Sequence, residues 1–413
     1  MKVVADVVVV GAGAIGCSAA FHLAHLGRGR VIVVEKGSVV SGMTKRSGGL
    51  IRTHYPNEAE ARLALASLRY FQSWKETVGG RCGFTQTGFA LVARGAANIE
   101  RMKTNVAMLR DIGVRTELVP PKELQQIDPA AQVEDISLAA YEPDSGYADP
   151  VAATQSLAAR AKELGVIFKT GTLVKSIQFA HGGVVGVDTN TGPIEALAVV
   201  VAAGGWSDRL LRTVGLEIGI RSERAQVAFF SRPAELRGHL AYMDMTTGAY
   251  LRPHSYGLTL AWLGNVAGPD PTSEASEAKE AESAGFTQGP GTNPDRFEES
   301  IDPAFIQDIQ KRIQVRLPAM AETRFVRGHT GMYDWSPDGH PVLGRAPGLR
   351  GLIVAAGFGD AGFALAPAAG ACIDELVTEG AATTVNLDTL RFARSRENAP
   401  LPSQAEYELE VHP

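Results

Sequence analysis

Short apolar runs, each followed by glycine, recur along this chain. Valines dominate residues 6–10 and residues 31–34, as is typical of parallel strands that are buried on both faces. Between these runs, residues 14–26 place Ile15 and Leu23 on one side of a predicted helix. The order strand, helix, strand predicts a βαβ unit at this point.

The same reading extends through the rest of the chain. Buried strands are predicted at 198–203 and 352–356, and both run into glycines. Residues 166–200 and 225–263 read mainly as strands, whereas 264–300 is rich in Gly, Pro, Ser and Glu and predicts a surface loop. Further helices are predicted at 58–77, 96–112, 150–164, 303–316 and 363–379.

Composition narrows the class of protein. A chain of 413 residues predicts at least two domains, and 45% hydrophobic with 21% charged residues is ordinary for a globular protein. The net charge of −5 without a basic block argues against a nucleic-acid partner. Three scattered cysteines form neither a metal spacing nor a disulfide framework, so no metal is expected.

The compartment is inferred from the same features. No apolar run is long enough to span a bilayer. Cleavage of the first apolar run as a signal peptide would destroy the glycine loop that follows it. We therefore expect a cytoplasmic protein without a membrane span.

A glycine-rich turn joins the first strand to the first helix. Gly11, Gly13 and Gly16 have the spacing that lets the backbone turn, approach a pyrophosphate and pack helix on strand. The helix N-terminus then faces the phosphates. Glu35 ends the second strand, where a carboxylate binds ribose hydroxyls and disfavours a 2′-phosphate. The pattern predicts a dinucleotide site but does not distinguish FAD from NAD.

Four segments resemble the D-amino-acid-oxidase superfamily of flavoproteins, especially its sarcosine oxidase, glycine oxidase and dimethylglycine dehydrogenase group. Residues 41–55 resemble the loop around the pyrophosphate and flavin, and residues 202–211 resemble the family's "AGxWS" turn. Residues 331–344 and 355–370 resemble its "MYxxTPDxxPxxG" and "AAGFxGxGFxxxPxxG" stretches. All four occur in the family's order, and the resemblance covers nearly the whole chain.

The resemblance implies an α/β fold with an α+β second domain. It implies a Rossmann-type FAD-binding domain, discontinuous in sequence, and a β-rich substrate domain. The FAD-binding domain is expected at 1–84, 141–224 and 325–390, the substrate domain at 85–140 and 225–324, and a C-terminal tail at 391–413.

The implied cofactor is FAD, with a small-molecule amine or amino acid as substrate. The residues expected to bind FAD lie in the glycine loop, after the second strand, in the resembling segments and at one isolated valine. They are Gly11, Gly13, Ala14, Ile15, Gly16, Glu35, Lys36, Ser41, Gly42, Met43, Thr44, Arg46, Ser47, Gly48, Gly49, Leu50, Val174, Ala203, Gly204, Trp206, Gly331, Gly357, Phe358, Gly359, Asp360, Ala361, Gly362 and Phe363.

Departures from the family shape the other expectations. Gly331 replaces the cysteine that links flavin covalently in monomeric sarcosine oxidase, and Lys45 and Arg46 stand where dimethylglycine dehydrogenase has its linking histidine. Non-covalent FAD is therefore expected, with His54 as the nearest other candidate for a linkage. Ala364 replaces the second lysine that binds the substrate carboxylate in the family.

Three residues are expected on the substrate side. Arg52 matches the carboxylate-binding arginine, and Tyr250 matches a tyrosine of the same pocket. Thr259 aligns with a lysine that helps oxygen react, so slow use of oxygen, or another acceptor, is a hypothesis. Other polar residues that could line this pocket are His254, Tyr256, His329, Tyr333, His340 and Asp360, the last of which would oppose flavin reduction unless neutral or paired.

The predicted reaction is hydride transfer from a carbon beside an amine nitrogen to flavin N5, followed by hydrolysis of the imine. One alternative is oxidation of a 2-hydroxy acid, which needs a base such as His54, His254 or His329. A second is a flavin-bearing subunit of a multi-chain amine or opine dehydrogenase, and a third is a non-enzymatic nucleotide-binding protein. The electron acceptor is oxygen or unknown, and a partner subunit or a homo-oligomer remains open.

Overall fold

The computed structural model describes residues 3–27, 29–264, 293–395, 397, 401 and 406–409. Most of the loop predicted at 264–300 lies outside these residues. None of the helices in the described ranges is long and apolar enough to cross a membrane.

The strands and helices are given in chain order. The strands are β1 Val3–Val10, β2 Val31–Val34, β3 Leu50–Ile51, β4 Thr85–Gln86, β5 Phe89–Ala93, β6 Glu117–Val119, β7 Leu138–Glu142, β8 Gly146–Tyr147, β9 Ile167–Lys169, β10 Val174–Ala180, β11 Gly183–Thr189, β12 Ile194–Val201, β13 Arg221–Ser231, β14 Ala241–Asp244, β15 Ala249–His254, β16 Leu258–Leu263, β17 Phe325–Trp335, β18 Val342–Arg345 and β19 Leu352–Ala356. The helices are α1 Ala14–His25, α2 Glu58–Gln72, α3 Trp74–Thr77, α4 Ala96–Asp111, α5 Pro121–Ile127, α6 Pro150–Glu163, α7 Ser207–Leu211, α8 Pro303–Arg316 and α9 Ala366–Thr378.

The first sheet is a parallel sheet assembled from distant parts of the chain. Its strands follow the order β9-β2-β1-β12-β19, all parallel, with β18 antiparallel to β19 at one edge. The hairpin of β10 and β11 pairs with the beginning of β12. Valines of β1, β2 and β12 point to both faces and are buried in two hydrophobic clusters. The carboxyl ends of these five parallel strands therefore meet at one edge of the sheet.

The second sheet is mostly antiparallel. Its order is β17-β13-β16-β15-β14-β5-β7-β6, and only β14 and β5 run parallel. One face packs against α8, and the other face carries Phe229, Tyr250, Leu260 and Trp262. β17 belongs to this sheet, although the sequence assigns residues 325–390 to the first domain; the domain boundaries stay a prediction.

A third sheet has three short strands in the order β3-β8-β4. The predicted strands at 31–34 and 352–356 and the predicted helix at 303–316 are confirmed. The helix predicted at 58–77 is interrupted at Ser73, whose hydroxyl (2.7 Å) and N–H (3.1 Å) both donate to the carbonyl of Arg69. The last helix begins at Ala366, because the residues predicted from 363 form turns.

Candidate functional site

The glycine turn after β1 is sterically closed on both sides. Gly11 has φ +106°, a left-handed conformation, and a Cβ there would overlap the carbonyl oxygen of Ala202. A Cβ on Gly16 would overlap the carbonyl oxygen of Gly11. The first turn of α1, with Ala14 and Ile15, is therefore held against β1 and β12, and its N–H groups point out of the helix end.

The Glu35 carboxylate is fixed beside this turn. It accepts hydrogen bonds from the Ala12 N–H (2.8 Å) and the Gly37 N–H (2.7 Å). The Glu35 carbonyl accepts from the Thr172 N–H (2.9 Å), which brings the beginning of β10, with Val174, to the same edge. Glu35, predicted to bind the ribose, and Val174, predicted to bind FAD, thus lie at the same edge.

The loop after β2 folds back over the glycine turn. Met43–Arg46 form a 3-10 helix, and the Thr44 hydroxyl accepts from the Ala14 N–H (3.1 Å). The Arg46 guanidinium donates to the carbonyl of Thr330 (2.7 Å) and pairs with Glu299 (2.9 Å). Gly331 therefore lies next to this loop, where a Cβ would meet that of Arg46 at 3.1 Å.

The segment after β12 lies at the same edge. Ala203 and Gly204 lead into a short 3-10 helix that contains Trp206. The Lys36 ammonium sits 3.5 Å from the centroid of the Trp206 ring, whose Nε1 donates to Asp295 (2.7 Å). These contacts join the ends of β2 and β12.

The turn after β19 completes the edge. Gly357 and Gly359 have φ +71° and +52°, and a Cβ on Gly359 would overlap the Trp335 ring. The Gly359 N–H donates to the carbonyl of Asp334 (3.0 Å) and so ties the turn to β17. The predicted cofactor residues therefore gather at one edge, in the glycine turn, at Glu35 and Lys36, in the loop from Ser41 to Leu50, at Val174, in the turn from Ala203 to Trp206, at Gly331 and in the turn from Gly357 to Phe363.

A small pocket opens where this edge meets the second sheet. It is lined by Ser47, Gly48, Gly49, Leu50, Arg52, Tyr55, Trp262, Tyr333 and Asp360. The Arg52 guanidinium lies 3.9 Å from the centroid of the Tyr55 ring, donates to the carbonyl of His54 and is 3.8 Å from the Asp360 carboxylate. Burial raises the pKa of Asp360, and Arg52 partly offsets that rise.

Tyr250 and Thr259, the other two residues predicted on the substrate side, do not line this pocket. Tyr250 is buried and stacks on Trp262, with ring centroids 5.6 Å apart, behind the pocket wall. Thr259 is fully buried, and its hydroxyl is 2.8 Å from Nε2 of His239. Side chains alternate along a strand, so Thr259 points to the face of β16 opposite Trp262. The structure does not bring Thr259 to the pocket.

Three residues near the pocket carry no sequence motif. Arg252 donates to the carbonyl of Gly48, and burial lowers its pKa to about 10. Glu142 accepts from the Thr53 N–H (2.9 Å) and the Ser145 hydroxyl (2.6 Å). Tyr407 places its hydroxyl 2.7 Å from Nε2 of His54. In the sequence, Tyr407 stands out only as an isolated aromatic residue in a polar stretch.

The candidate histidines lie outside the pocket lining. Burial and Arg52 lower the pKa of His54 to about 3, and burial with Arg252 lowers that of His254 to about 4. Burial also lowers the pKa of His329, whose Nε2 is 3.0 Å from the carbonyl of Arg46. All three side chains are therefore neutral near pH 7.

The pKa of His340, by contrast, is raised. Its Nδ1 is 2.8 Å from Glu60, a residue held in the first turn of α2 by the side chain of Asn57, which accepts from the Glu60 N–H. Burial alone would lower the pKa of His340, but the neighbouring Glu60 carboxylate raises it to about 8. His340 is therefore charged at neutral pH.

Because this pKa lies above the ordinary histidine value of 6.5, the pair stabilises the fold below about pH 6.5, and the stabilisation is lost as the pH rises through 8. We expect the His340→Gln variant to lose about 2 kcal/mol of pH-dependent stability across that window. Urea unfolding of both proteins at pH 6 and pH 9 measures it, with His25→Gln, at an exposed position, as the control. An unchanged pH slope in His340→Gln would contradict the pairing.

The comparisons with known proteins agree with this geometry. The model of the DAO family, described as FAD dependent oxidoreductase, matches residues 6–376. Human mitochondrial dimethylglycine dehydrogenase is 26% identical over 361 residues, which cover 86% of this chain and 40% of that protein. Mouse mitochondrial sarcosine dehydrogenase is 28% identical over 379 residues, covering 90% of this chain and 39% of that protein. This chain thus spans about two fifths of the length of these curated relatives.

A solved structure, L-proline dehydrogenase from P. horikoshii, superposes with a TM-score of 0.84 at 26% identity, covering 96% of this chain and 99% of that one.

Proposed function

This chain belongs to the DAO family of FAD-dependent oxidoreductases, and from that membership we propose that it oxidises the C–N bond of an amino acid or of a secondary or tertiary amine. FAD is the family's cofactor, and when bound at this edge it would supply the hydride acceptor, its N5 atom. The imine product then hydrolyses. The named relatives act on dimethylglycine, sarcosine and L-proline, all of which carry an amine and a carboxylate.

The residues at the carboxyl edge fit FAD. The closed turn at Gly11 and Gly16 leaves backbone N–H groups at the end of α1 for a pyrophosphate. Glu35 retains lone pairs for ribose hydroxyls beside its two backbone donors. The glycines after β19 let backbone N–H groups approach the flavin ring, where fixed dipoles stabilise the negative charge of the reduced state.

The buried Arg52 carries the substrate assignment. Its guanidinium is held over the Tyr55 ring at the wall of the pocket, so that it can bind a carboxylate without moving far. Trp262 and Tyr333 supply apolar walls that exclude water around the reacting carbon. The single structural observation that supports this substrate class is the position of Arg52 beside the turn after β19.

Oxidation of a 2-hydroxy acid is less well supported. That reaction needs a base for the hydroxyl proton, with a pKa near the working pH. His54 and His254 have pKa values of about 3 and 4, and neither lines the pocket. Amine oxidation needs no such histidine, because an ammonium group loses its proton to solvent far more readily than a hydroxyl group does.

Anaerobic mixing of the FAD-loaded protein with sarcosine, dimethylglycine, L-proline and glycine tests the function. At least one amine should bleach the flavin absorbance, and lactate and glycolate should not. The Arg52→Gln variant should need a higher concentration of the same amine. Bleaching by the hydroxy acids alone would overturn the proposal.

We expect the FAD to be non-covalent. Gly331 supplies no thiol, Lys45 and Arg46 supply no imidazole, and Nε2 of His54 is engaged with Tyr407. Acid precipitation of the FAD-loaded protein should therefore release the flavin into the supernatant. Flavin fluorescence that stays with the denatured chain would show a covalent link.

A further inference from the structure

We propose that Asp360 is a specificity-determining residue: its carboxylate and the Arg52 guanidinium form a pair of opposite charges that admits zwitterionic ligands and rejects ligands carrying only a carboxylate. The inference rests on the proposed function and names its substrate class. Arg52 binds the carboxylate of the ligand, and Asp360 faces the ammonium. The pocket is then selective by charge as well as by shape.

The backbone fixes Asp360 at the pocket. Gly359 is locked by its left-handed φ, by the Trp335 ring and by its N–H bond to the carbonyl of Asp334 (3.0 Å). On the other side, the Ala361 N–H donates to the carbonyl of Phe358 (2.9 Å). The carboxylate between these two anchors is therefore presented at a defined position, with 26% of the side chain exposed.

The bond between the two charges is incomplete. The Asp360 oxygen and the Arg52 nitrogen are 3.8 Å apart, too far for a hydrogen bond. Nη1 of Arg52 donates a hydrogen bond to the carbonyl of His54. Within the described residues, no other side chain donates a hydrogen bond to Asp360. Both groups thus keep hydrogen-bonding capacity that a ligand can use.

The neighbouring carboxylates are engaged elsewhere. Glu60 pairs with His340 at 2.8 Å, and Glu142 accepts from Thr53 and Ser145. Among the acidic residues in the described part of the chain, Asp360 is the one that lines the pocket with Arg52. A carboxylate-only ligand must compete with Asp360 for the guanidinium and is repelled by it. A zwitterion satisfies both charges.

A pair of isosteric probes isolates this effect. Trimethylglycine and 3,3-dimethylbutanoate have the same shape and the same carboxylate, but only the first carries a positive charge. Neither has an amine lone pair, so neither forms an imine, and their binding is measured from the perturbed absorbance of the bound FAD. The FAD-loaded protein should bind trimethylglycine more tightly.

Asp360→Asn should shift this preference towards dimethylbutanoate by at least about tenfold, because it removes the repulsion and frees Arg52. Arg52→Gln should weaken the binding of both probes. Asp188→Asn, on β11 and outside the pocket, is the matched control and should change neither affinity. FAD content and melting temperature establish that each variant is folded.

Equal weakening of both probes in Asp360→Asn, or an unchanged ratio, would overturn the inference, and so would failure of both probes to bind the unmodified protein. The binding assay is independent of turnover. Amines that reduce the flavin while the ratio stays constant would refute only the role of Asp360. A ratio that shifts in a protein that no amine reduces would refute only the proposed function.

Discussion

The Thr259→Lys variant is expected to be strongly destabilised and to react with oxygen no faster than the unmodified protein. Thr259 is fully buried, and its hydroxyl is bonded to His239 on the face of β16 that packs against α8. A lysine there is larger than the space and brings a charge into an apolar layer. We expect a loss of about 3–5 kcal/mol in the free energy of unfolding.

Urea unfolding of the FAD-loaded protein measures this loss. Thr259→Val is the control, because it keeps the shape and removes only the hydroxyl, at a cost of about 1–3 kcal/mol for the unpaired His239 nitrogen. Stopped-flow reoxidation by oxygen after anaerobic photoreduction measures how fast the reduced flavin of each variant reacts with oxygen. A stable lysine variant that reoxidises faster would show that Thr259 faces the flavin, as the alignment predicts.

The slow use of oxygen that Thr259 suggested therefore loses its structural basis. Arg252 is a cation that contacts the loop from Ser41 to Leu50, because it donates to the carbonyl of Gly48 and lies over the Tyr147 ring at 4.4 Å. It lies on the same face of the sheet as Tyr250 and Trp262. Any effect of a buried cation on the reaction with oxygen is therefore expected from this arginine rather than from position 259.

Gly11→Ala is the second change with a large expected effect, and the variant should purify with little or no FAD. Alanine strongly disfavours φ +106°, and its Cβ would overlap the backbone of Ala202, the residue after β12, which is held by its N–H bond to the carbonyl of Val10 (2.9 Å). We expect a destabilisation of roughly 2–4 kcal/mol and displacement of the N-terminus of α1.

The ratio of flavin to protein absorbance after gel filtration measures FAD retention. Gly238→Ala is the matched control, since a Cβ there meets no atom within 4 Å and the backbone is not left-handed. Full FAD retention in Gly11→Ala would mean that the turn relaxes more easily than its surroundings suggest.

Local signals predicted the parallel strands of the first sheet well. Buried valine runs have few alternatives to a central parallel strand, and a glycine turn between such a strand and a helix has one steric explanation. This is why β2 and β19 lie where the pattern puts them. The substrate side depended on alignment, and a shift of one residue moves a strand side chain to the other face. Thr259 shows that effect.

The remaining site residues depend on contacts between distant parts of the chain. The pairing of Arg52 with Asp360 and that of His54 with Tyr407 leave no periodic pattern in the sequence. Tyr407 lies in a polar stretch that predicts only a tail, yet Asn98 holds the next residue by two hydrogen bonds to its backbone. Burial of such residues follows from the tertiary fold, not from local propensity.

The pairing of β19 with β12 affects how the chain folds during its synthesis. β12 ends at Val201, but the strand that covers its edge begins at Leu352, so synthesis must pass that residue before the flavin site can close. Until then a valine-rich strand has an open edge, which invites pairing with other chains. We therefore expect flavin capture to follow translation of β19.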